Sequence, residues 1–460
     1  MVDVVLIKAS NVTPRNASVV PPLGVLALSG WLRKRLGVRV GVIDTQVEPL
    51  KTGLARLRVA NEPPLLFGVS ALTWERESLA DITRTLRAQH AGVPVVVGGP
   101  HASSYPESVL VLPGVDAVVE REGEVVLQAI VEGLQAGGDV HDIPGVHYLD
   151  ADGQHQKNER PPFIEDQDDL PFLDFSEVPL HRYRQHKSFS QLGPRPTLPL
   201  MTSRACPFKC TYCHLFFGKG FRPMTAERVL DELAYQIKRT GIRDFEIVDD
   251  IFNFDYRRAR RILNGIIERG MDVRLSFPNG LRGDLLKLED IALYRRAGTA
   301  SYAIAIETVT DRIQKEIQKD LKLDKIHDVI AATARERIFS TGFFMLGFPG
   351  ESRAEIKDTI DFAVASDLHL GLFNIVTPFA GTEMGDEHAE QAATVLDKNI
   401  GKDAFGLPEV SDATLQSFQR GAYRRFYGSP RRVARILRDH PVPANLPKMG
   451  FSFMMHRVTG

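Results

Sequence analysis

The chain opens on a regular exchange between two hydrophobic patterns. Short runs rich in Val, Ile and Leu, at 2–8, 38–44, 65–72, 93–98 and 115–120, are each followed by a stretch whose apolar positions recur every three or four residues, at 23–35, 50–59, 75–89, 106–112 and 123–135. The first pattern predicts strands and the second amphipathic helices. Five such units predict a doubly wound parallel sheet with right-handed crossovers. The run Pro94-Val95-Val96-Val97-Gly98 lacks polar alternation, as expected of a strand covered on both faces. Ligands of such a sheet lie beyond the strand C-termini.

A polar interval follows, in which 146–156 predicts a hairpin turning at Asp152-Gly153, and Pro161-Pro162 with the acidic run 165–169 reads as linker. The alternation resumes with strands at 198–203, 245–249, 273–277, 301–306, 339–347 and 370–377, separated by helices at 226–238, 256–268, 289–297, 323–335 and 353–365. Six strands in this rhythm predict an open, partial (β/α)6 barrel, with chemistry in the loops after the strands. The remainder reads as helical, and Arg424-Arg425 with Arg431-Arg432 as a solvated helix face. The expected organisation is α/β throughout: a doubly wound domain at 1–140, a linker with hairpin at 141–193, the partial barrel at 194–390 and a helical C-terminal region at 391–460.

Composition narrows the function. The 57 basic and 58 acidic residues nearly cancel, which excludes the strongly basic footprint of a nucleic-acid binder and favours a small-molecule partner. Without a signal-peptide pattern or an apolar run of bilayer length, the expected location is cytoplasmic, with no membrane partner. Only 3 cysteines occur. All lie in Cys206-Pro-Phe-Lys-Cys210-Thr-Tyr-Cys213, directly after a predicted strand, which is no disulfide framework. Three close thiolates can each take a different iron of a [4Fe-4S] cluster and leave the fourth iron open. A structural zinc site with His214 or a distant His as fourth ligand is the alternative. The count also excludes a second cluster held by protein thiolates.

This cysteine spacing resembles the signature of the radical S-adenosylmethionine (SAM) superfamily, in which the open iron binds the amino and carboxylate groups of SAM. The resemblance implies that Tyr212 lies beside the adenine. Later strand ends match the same pattern in order. Asp249-Asp250-Ile-Phe-Asn253 resembles the loop facing the SAM ammonium and ribose, and the choice among Asp249, Asp250 and Asn253 stays open, because the common double-glycine-plus-Glu form is missing. Arg282, followed by Asp284, is the candidate for the SAM carboxylate. Glu307 resembles the acceptor of ribose hydroxyls, and Gly347, in Gly347-Phe-Pro-Gly350-Glu351, the strand edge along adenine. Asp249, Asp284 and Glu351 can equally be helix caps or loop ends.

The front domain is similar to the flavodoxin-like, cobalamin-binding domain that precedes the barrel in one large subfamily. Ser70 and Thr73 after the third strand, Gly98, Gly99 and His101 after the fourth, and Glu122 after the fifth carry that resemblance. It implies cobalamin held without the Asp-x-His-x-x-Gly cobalt ligand, which this chain lacks. Members that keep the domain without cobalamin leave a tight turn at Gly98-Gly99 and caps at Ser70 and Thr73 as the plainer reading. By resemblance the reaction is reductive cleavage of SAM to a 5′-deoxyadenosyl radical, followed by hydrogen abstraction from a polar natural product. The radical's first expected fate is cobalamin-dependent C-methylation. The alternative is a cobalamin-independent radical dehydratase acting on a sugar-like diol, such as an aminoglycoside in antibiotic biosynthesis, and a non-enzymatic cobalamin or redox sensor is a third. An external electron donor (flavodoxin, ferredoxin or a dedicated reductase) is implied. Loops at 216–221, 377–382 and 451–456 are expected to face substrate.

Overall fold

A computed structural model of the protein describes residues 2–10, 18–60, 62–398 and 400–447. The aromatic stretch 451–456 lies outside them. The chain divides into two compact units, residues 1–185 with 216–218, and residues 186–215 with 219–460.

In the first unit, β1 (Val4–Lys8), β2 (Val40–Asp44), β3 (Leu66–Ser70), β4 (Val95–Gly98) and β5 (Ala117–Val119) form a parallel sheet in the order β2-β1-β3-β4-β5. Val4, Val5, Leu6 and Ile7 are all buried, so β1 has no solvent face, in keeping with its unbroken apolar sequence. Val5, Ile7, Phe67, Val69, Val95 and Val97 pack with Leu79, Ile82 and Leu86 of the helix Arg76–Gln89 into one core. The segment read as linker behaves differently from expectation. Its hairpin, β6 (Val146–Leu149) and β7 (His155–Lys157), extends the first sheet antiparallel to β5, with Gly153 at φ 75° in the turn. His147 and Lys157 of that hairpin both meet Glu120 at the end of β5.

In the second unit, β8 (Leu198–Leu200) leads to a short antiparallel pair, β9 (Ser203–Arg204) and β10 (Arg222–Pro223). Then come β11 (Asp244–Ile247), β12 (Arg274–Leu281), β13 (Thr299–Glu307), β14 (Phe339–Leu346) and β15 (Leu370–Ile375). The sheet β8-β11-β12-β13-β14-β15 is parallel throughout, and its end strands are not paired with each other, so the barrel is open. The helix Asp412–Tyr427 covers the β15 edge. Tyr423 and Tyr427 hydroxyls donate to the Phe373 and Gly371 carbonyls and accept their N–H groups, and Gln419 Nε2 donates to Phe373 O at 2.7 Å. These bonds occupy edge groups that would otherwise be open to another strand.

The basic face is corrected at one residue. Arg432, expected in solvent, is buried in the helix Pro430–Asp439, where it donates to the carbonyls of Ala363, Val364, Ser366 and Leu368 and stacks on Phe426 at 3.5 Å. Those carbonyls belong to the end of the helix Arg353–Ala365 and the turn beyond it, a helix C-terminus that needs donors. Among the described residues, no helix is long and apolar enough to cross a membrane.

Candidate functional site

In the second unit the cysteine loop is strung between β9 and β10. Ala205, at φ 66°, turns the chain out of β9 into Cys206. The loop is anchored from several sides: Thr211 N–H donates to Ile317 O, Met384 N–H to Thr211 O, and Lys219 Nζ to Phe208 O. Arg282 lies over the Phe208 ring at 3.7 Å. Burial pushes the Cys206 thiol up and Cys213 up to about 12, helped by the charges of Cys210 and Asp250. Cys206 and Cys213, so buried, stay neutral unless a cation among the cysteines draws off their protons. A [4Fe-4S] cluster asks only one thiolate per iron, which the three cysteines of this loop can supply.

Of the acidic candidates after β11, Asp249 is fully engaged. It is buried and accepts from Thr202 N–H at 2.5 Å, Thr202 Oγ1 at 2.6 Å and Ser203 Oγ at 2.7 Å, so it ties β11 to the start of the cysteine loop. Asn253 exchanges hydrogen bonds with both backbone groups of Arg282, at 2.9 and 3.1 Å. Asp250 is the one whose charge acts on Cys206 and Cys213, and burial together with the neighbouring Asp249 pushes it up to about 6.

Arg282 has several partners of its own. Its Nε donates to Asp284 at 3.0 Å and its Nη2 to the carbonyls of Lys319 and Asp320. It therefore braces a tight turn in which Gln318 and Asp320 both have positive φ, 52° and 47°. That turn presents Lys319, which sequence reading missed. Lys319 is 6% exposed, and its Nζ donates to Glu307 Oε1 at 2.9 Å and to the Tyr212 hydroxyl at 3.1 Å. A lone lysine in an irregular turn more than a hundred residues from the cysteines carries no sequence signal.

Glu307 ends β13 at φ 67°, where the register to β14 slips. A left-handed glutamate at a bulge is strained, and the bulge re-aims its carboxylate. Gly347, at φ 91°, follows β14 and gives its N–H to Glu351 Oε2 at 2.6 Å. A side chain there would run into Leu415. Tyr212 packs beside Phe348, ring centres 5.9 Å apart. Lys319 thus joins Tyr212 to Glu307, with Phe348 beside Tyr212. Glu351, buried, also caps Phe348 N–H, and burial pushes its carboxyl up to about 7.

In the first unit the candidate residues line the strand C-termini. Gly99, at φ 89°, follows β4 so closely against β3 that a Cβ would lie 2.6 Å from Ser70 Oγ and 3.2 Å from Ala71 O. Gly98 is the last residue of β4. His101 is buried, donates its backbone N–H to Ala71 O at 3.1 Å, and holds Nδ1 without a hydrogen-bond partner among the described residues. Burial pulls its imidazole down to about 4, so it is neutral near pH 7. Thr73 is buried in a single 3-10 turn, Thr73–Glu75. Glu122 is buried and accepts Ile164 N–H at 3.2 Å, fastening the segment after the hairpin. Asp44, at the end of β2, accepts from the Tyr183 hydroxyl at 2.6 Å, and burial pushes it up to about 6. Gly99 thus serves the close packing of the two strand ends, and the neutral, buried His101 Nδ1 is the polar atom there left for a ligand to meet.

Comparison with known proteins agrees with this division. The B12 binding domain family matches residues 14–131 and the radical SAM superfamily residues 200–363. An uncharacterized methyltransferase of Pyrococcus horikoshii is 28% identical over 429 residues, covering 91% of this chain and 90% of that protein. The radical SAM methyltransferase TsrM of Kitasatospora setae, solved with cobalamin and a [4Fe-4S] cluster, superposes with a TM-score of 0.68 at 20% identity, over 86% of this chain and 76% of TsrM. The cobalamin-dependent radical enzyme OxsB, solved with aqua-cobalamin and SAM, gives 0.66 at 18% identity, over 93% of this chain and 62% of its own. At such identities the two structures establish the fold.

Proposed function

We propose that this chain, in which a B12-binding domain precedes a radical SAM domain, is a cobalamin-dependent C-methyltransferase acting on a polar natural product. Its cofactors are a [4Fe-4S] cluster, SAM and cobalamin. When bound, they supply the electron, the hydrogen-abstracting fragment of SAM and the methyl carrier.

The protein's own part is holding and orienting. Cys206, Cys210 and Cys213 hold the cluster, and Asp250 beside them receives the SAM ammonium. Lys319 takes the SAM carboxylate, since it is the buried cation that faces Tyr212 and Glu307, while Arg282 and Asn253 brace the turn and strand end that aim it. Glu307 accepts from the ribose hydroxyls, and Tyr212, Phe348 and the backbone at Gly347 flank the adenine. Ser70, Thr73, Gly98, Gly99 and His101 face the cobalamin, and Glu122 secures the wall of that site. With three cysteines in all, the reducing electron comes from a separate flavodoxin, ferredoxin or dedicated reductase.

The observation that favours methylation over dehydration is the match of the B12 binding domain family to residues 14–131, the domain that would hold the methyl carrier. The name of the Pyrococcus relative points the same way. The test is anaerobic turnover of cluster-reconstituted protein with SAM, reductant and hydroxocobalamin. Methylation yields S-adenosylhomocysteine along with 5′-deoxyadenosine and a product heavier by one methylene. 5′-Deoxyadenosine alone with a product lighter by one water establishes the dehydratase instead. Failure to cleave SAM with a full complement of iron favours the sensor.

A further inference from the structure

We infer that Trp74 is a contact residue for the corrin ring of the bound cobalamin, an assignment that rests on reading the first unit as a cobalamin site. The chain has 2 tryptophans, and they are placed in opposite ways. Trp31 is 4% exposed and donates its indole N–H to Gln128 Oε1 at 3.0 Å. Trp74 is 61% exposed.

Single exposed apolar side chains are common, so position decides. In the order β2-β1-β3-β4-β5 the chain reverses its direction of travel between β1 and β3, and the crevice beyond those two strand ends is where a doubly wound sheet receives its ligand. Trp74 stands there, four residues past the end of β3 at Ser70. It is the middle residue of the 3-10 turn Thr73–Glu75, and both its neighbours are buried. Glu75 is fixed twice, by an ion pair with Lys8, the last residue of β1, and by accepting Leu72 N–H at 2.7 Å. The link between Lys8 and Glu75 spans the crevice, so the turn is held from both strands while the indole stands in solvent.

An indole carried on a backbone turn already fixed beside it costs no further ordering of that turn when covered, and its flat apolar face suits a broad planar partner. At the same strand ends Gly99 packs against Ser70 and Ala71, and His101 Nδ1 lies buried without a hydrogen-bond partner among the described residues. A small polar ligand would be served by the buried polar groups there and would leave the indole wet. A corrin is wide enough to reach it.

The test compares full-length wild type with Trp74→Ala and Trp74→Phe, using equilibrium dialysis against hydroxocobalamin and against cobinamide, which keeps the corrin but lacks the nucleotide tail. Trp74→Ala is expected to weaken both ligands about ten-fold, the effect of withdrawing one covered aromatic face, and Trp74→Phe to stay within about three-fold of wild type. Ligand-free melting temperatures should be unchanged, because the indole packs against little in the free protein. Wild-type affinity for both ligands in Trp74→Ala overturns the inference. Weakened hydroxocobalamin binding with cobinamide unaffected moves the indole to the nucleotide tail and also overturns it. If the wild type itself binds neither ligand, the reading of the domain fails first and takes the assignment of Trp74 with it.

Discussion

Lys319 shows what a single residue contributes when the backbone is bent to place it. Its Nζ is nearly dry and shared between Glu307 and Tyr212. Replacing it with methionine keeps the length of the stem but leaves Glu307 buried without its cation. If Lys319 meets the SAM carboxylate, Lys319→Met should raise the dissociation constant for SAM about thirty-fold, from loss of a charge-assisted contact worth ~2 kcal/mol, while iron content stays that of wild type. Equilibrium dialysis with labelled SAM and an iron assay check both halves. Unchanged SAM affinity would remove Lys319 from the site, and lost iron would make it a prop for the cysteine loop. The contrast with the cysteines explains what the sequence can disclose at this scale. Cys206, Cys210 and Cys213 are legible because ligand spacing within one loop is a local property. Lys319 reaches the same place only through folding, from a turn whose positive φ values at Gln318 and Asp320 no residue type announces. Arg282 was visible as a cation after a strand, but the structure spends its donors on Asp284 and on the carbonyls of that turn.

Single elements repeat the lesson in another form. The five parallel strands of the first sheet were readable because strands buried on both faces are apolar along their length, whereas the barrel strands carry polar residues such as Asp244 and Glu246 of β11 and were readable from the regular exchange of strand and helix patterns. The hairpin was visible at 146–156, yet its attachment to β5 was not, because pairing depends on distant partners such as Glu120 meeting His147 and Lys157. Likewise the basic pattern of the last helix did not reveal that Arg432 turns inward. The same helix ends at Asp439, which accepts from His369 Nε2 at 3.1 Å just ahead of β15. His369 Nδ1 accepts Ser340 N–H at 3.0 Å, so both ring nitrogens are used in the neutral form. Burial pulls this imidazole from its ordinary 6.5 down to about 4. Between those values the unfolded chain binds a proton that the folded chain refuses, so stability is full above about pH 6.5 and drains away as the pH falls toward 4. From pH 7 to pH 5 the loss from this residue is about 2 kcal/mol. His369→Gln supplies an acceptor and a donor without titrating, and urea unfolding curves at the two pH values should differ less for it than for wild type by that amount. Equal pH sensitivity would mean that His369 is protonated in the folded protein.

At the scale of the whole molecule, the two candidate sites are each assembled from residues of one unit. The cysteine loop takes its anchors from Ile317, Met384, Lys219 and Arg282, all in the second unit, and Gly99 packs against Ser70 and Ala71 of the first. Cofactor loading should therefore separate cleanly. Replacing Cys206, Cys210 and Cys213 together with alanine should abolish iron and acid-labile sulfide while leaving hydroxocobalamin affinity within about two-fold of wild type, since thermodynamic coupling requires a site whose state the other ligand biases. The reverse variant is Gly99→Ala. Its backbone, at φ 89° and ψ −176°, lies in a region that essentially only glycine occupies, and the added carbon would stand 2.6 Å from Ser70 Oγ. That substitution should destabilise the first unit by about 1–3 kcal/mol and abolish cobalamin retention, with iron content unchanged. Metal analysis and the cobalamin absorption spectrum on the same samples read both outcomes. Should the cysteine variant also lose cobalamin, or Gly99→Ala also lose iron, the sites would be interdependent, and a protein whose two halves each carry their own cofactor would have to give way to one in which a single cofactor organises both.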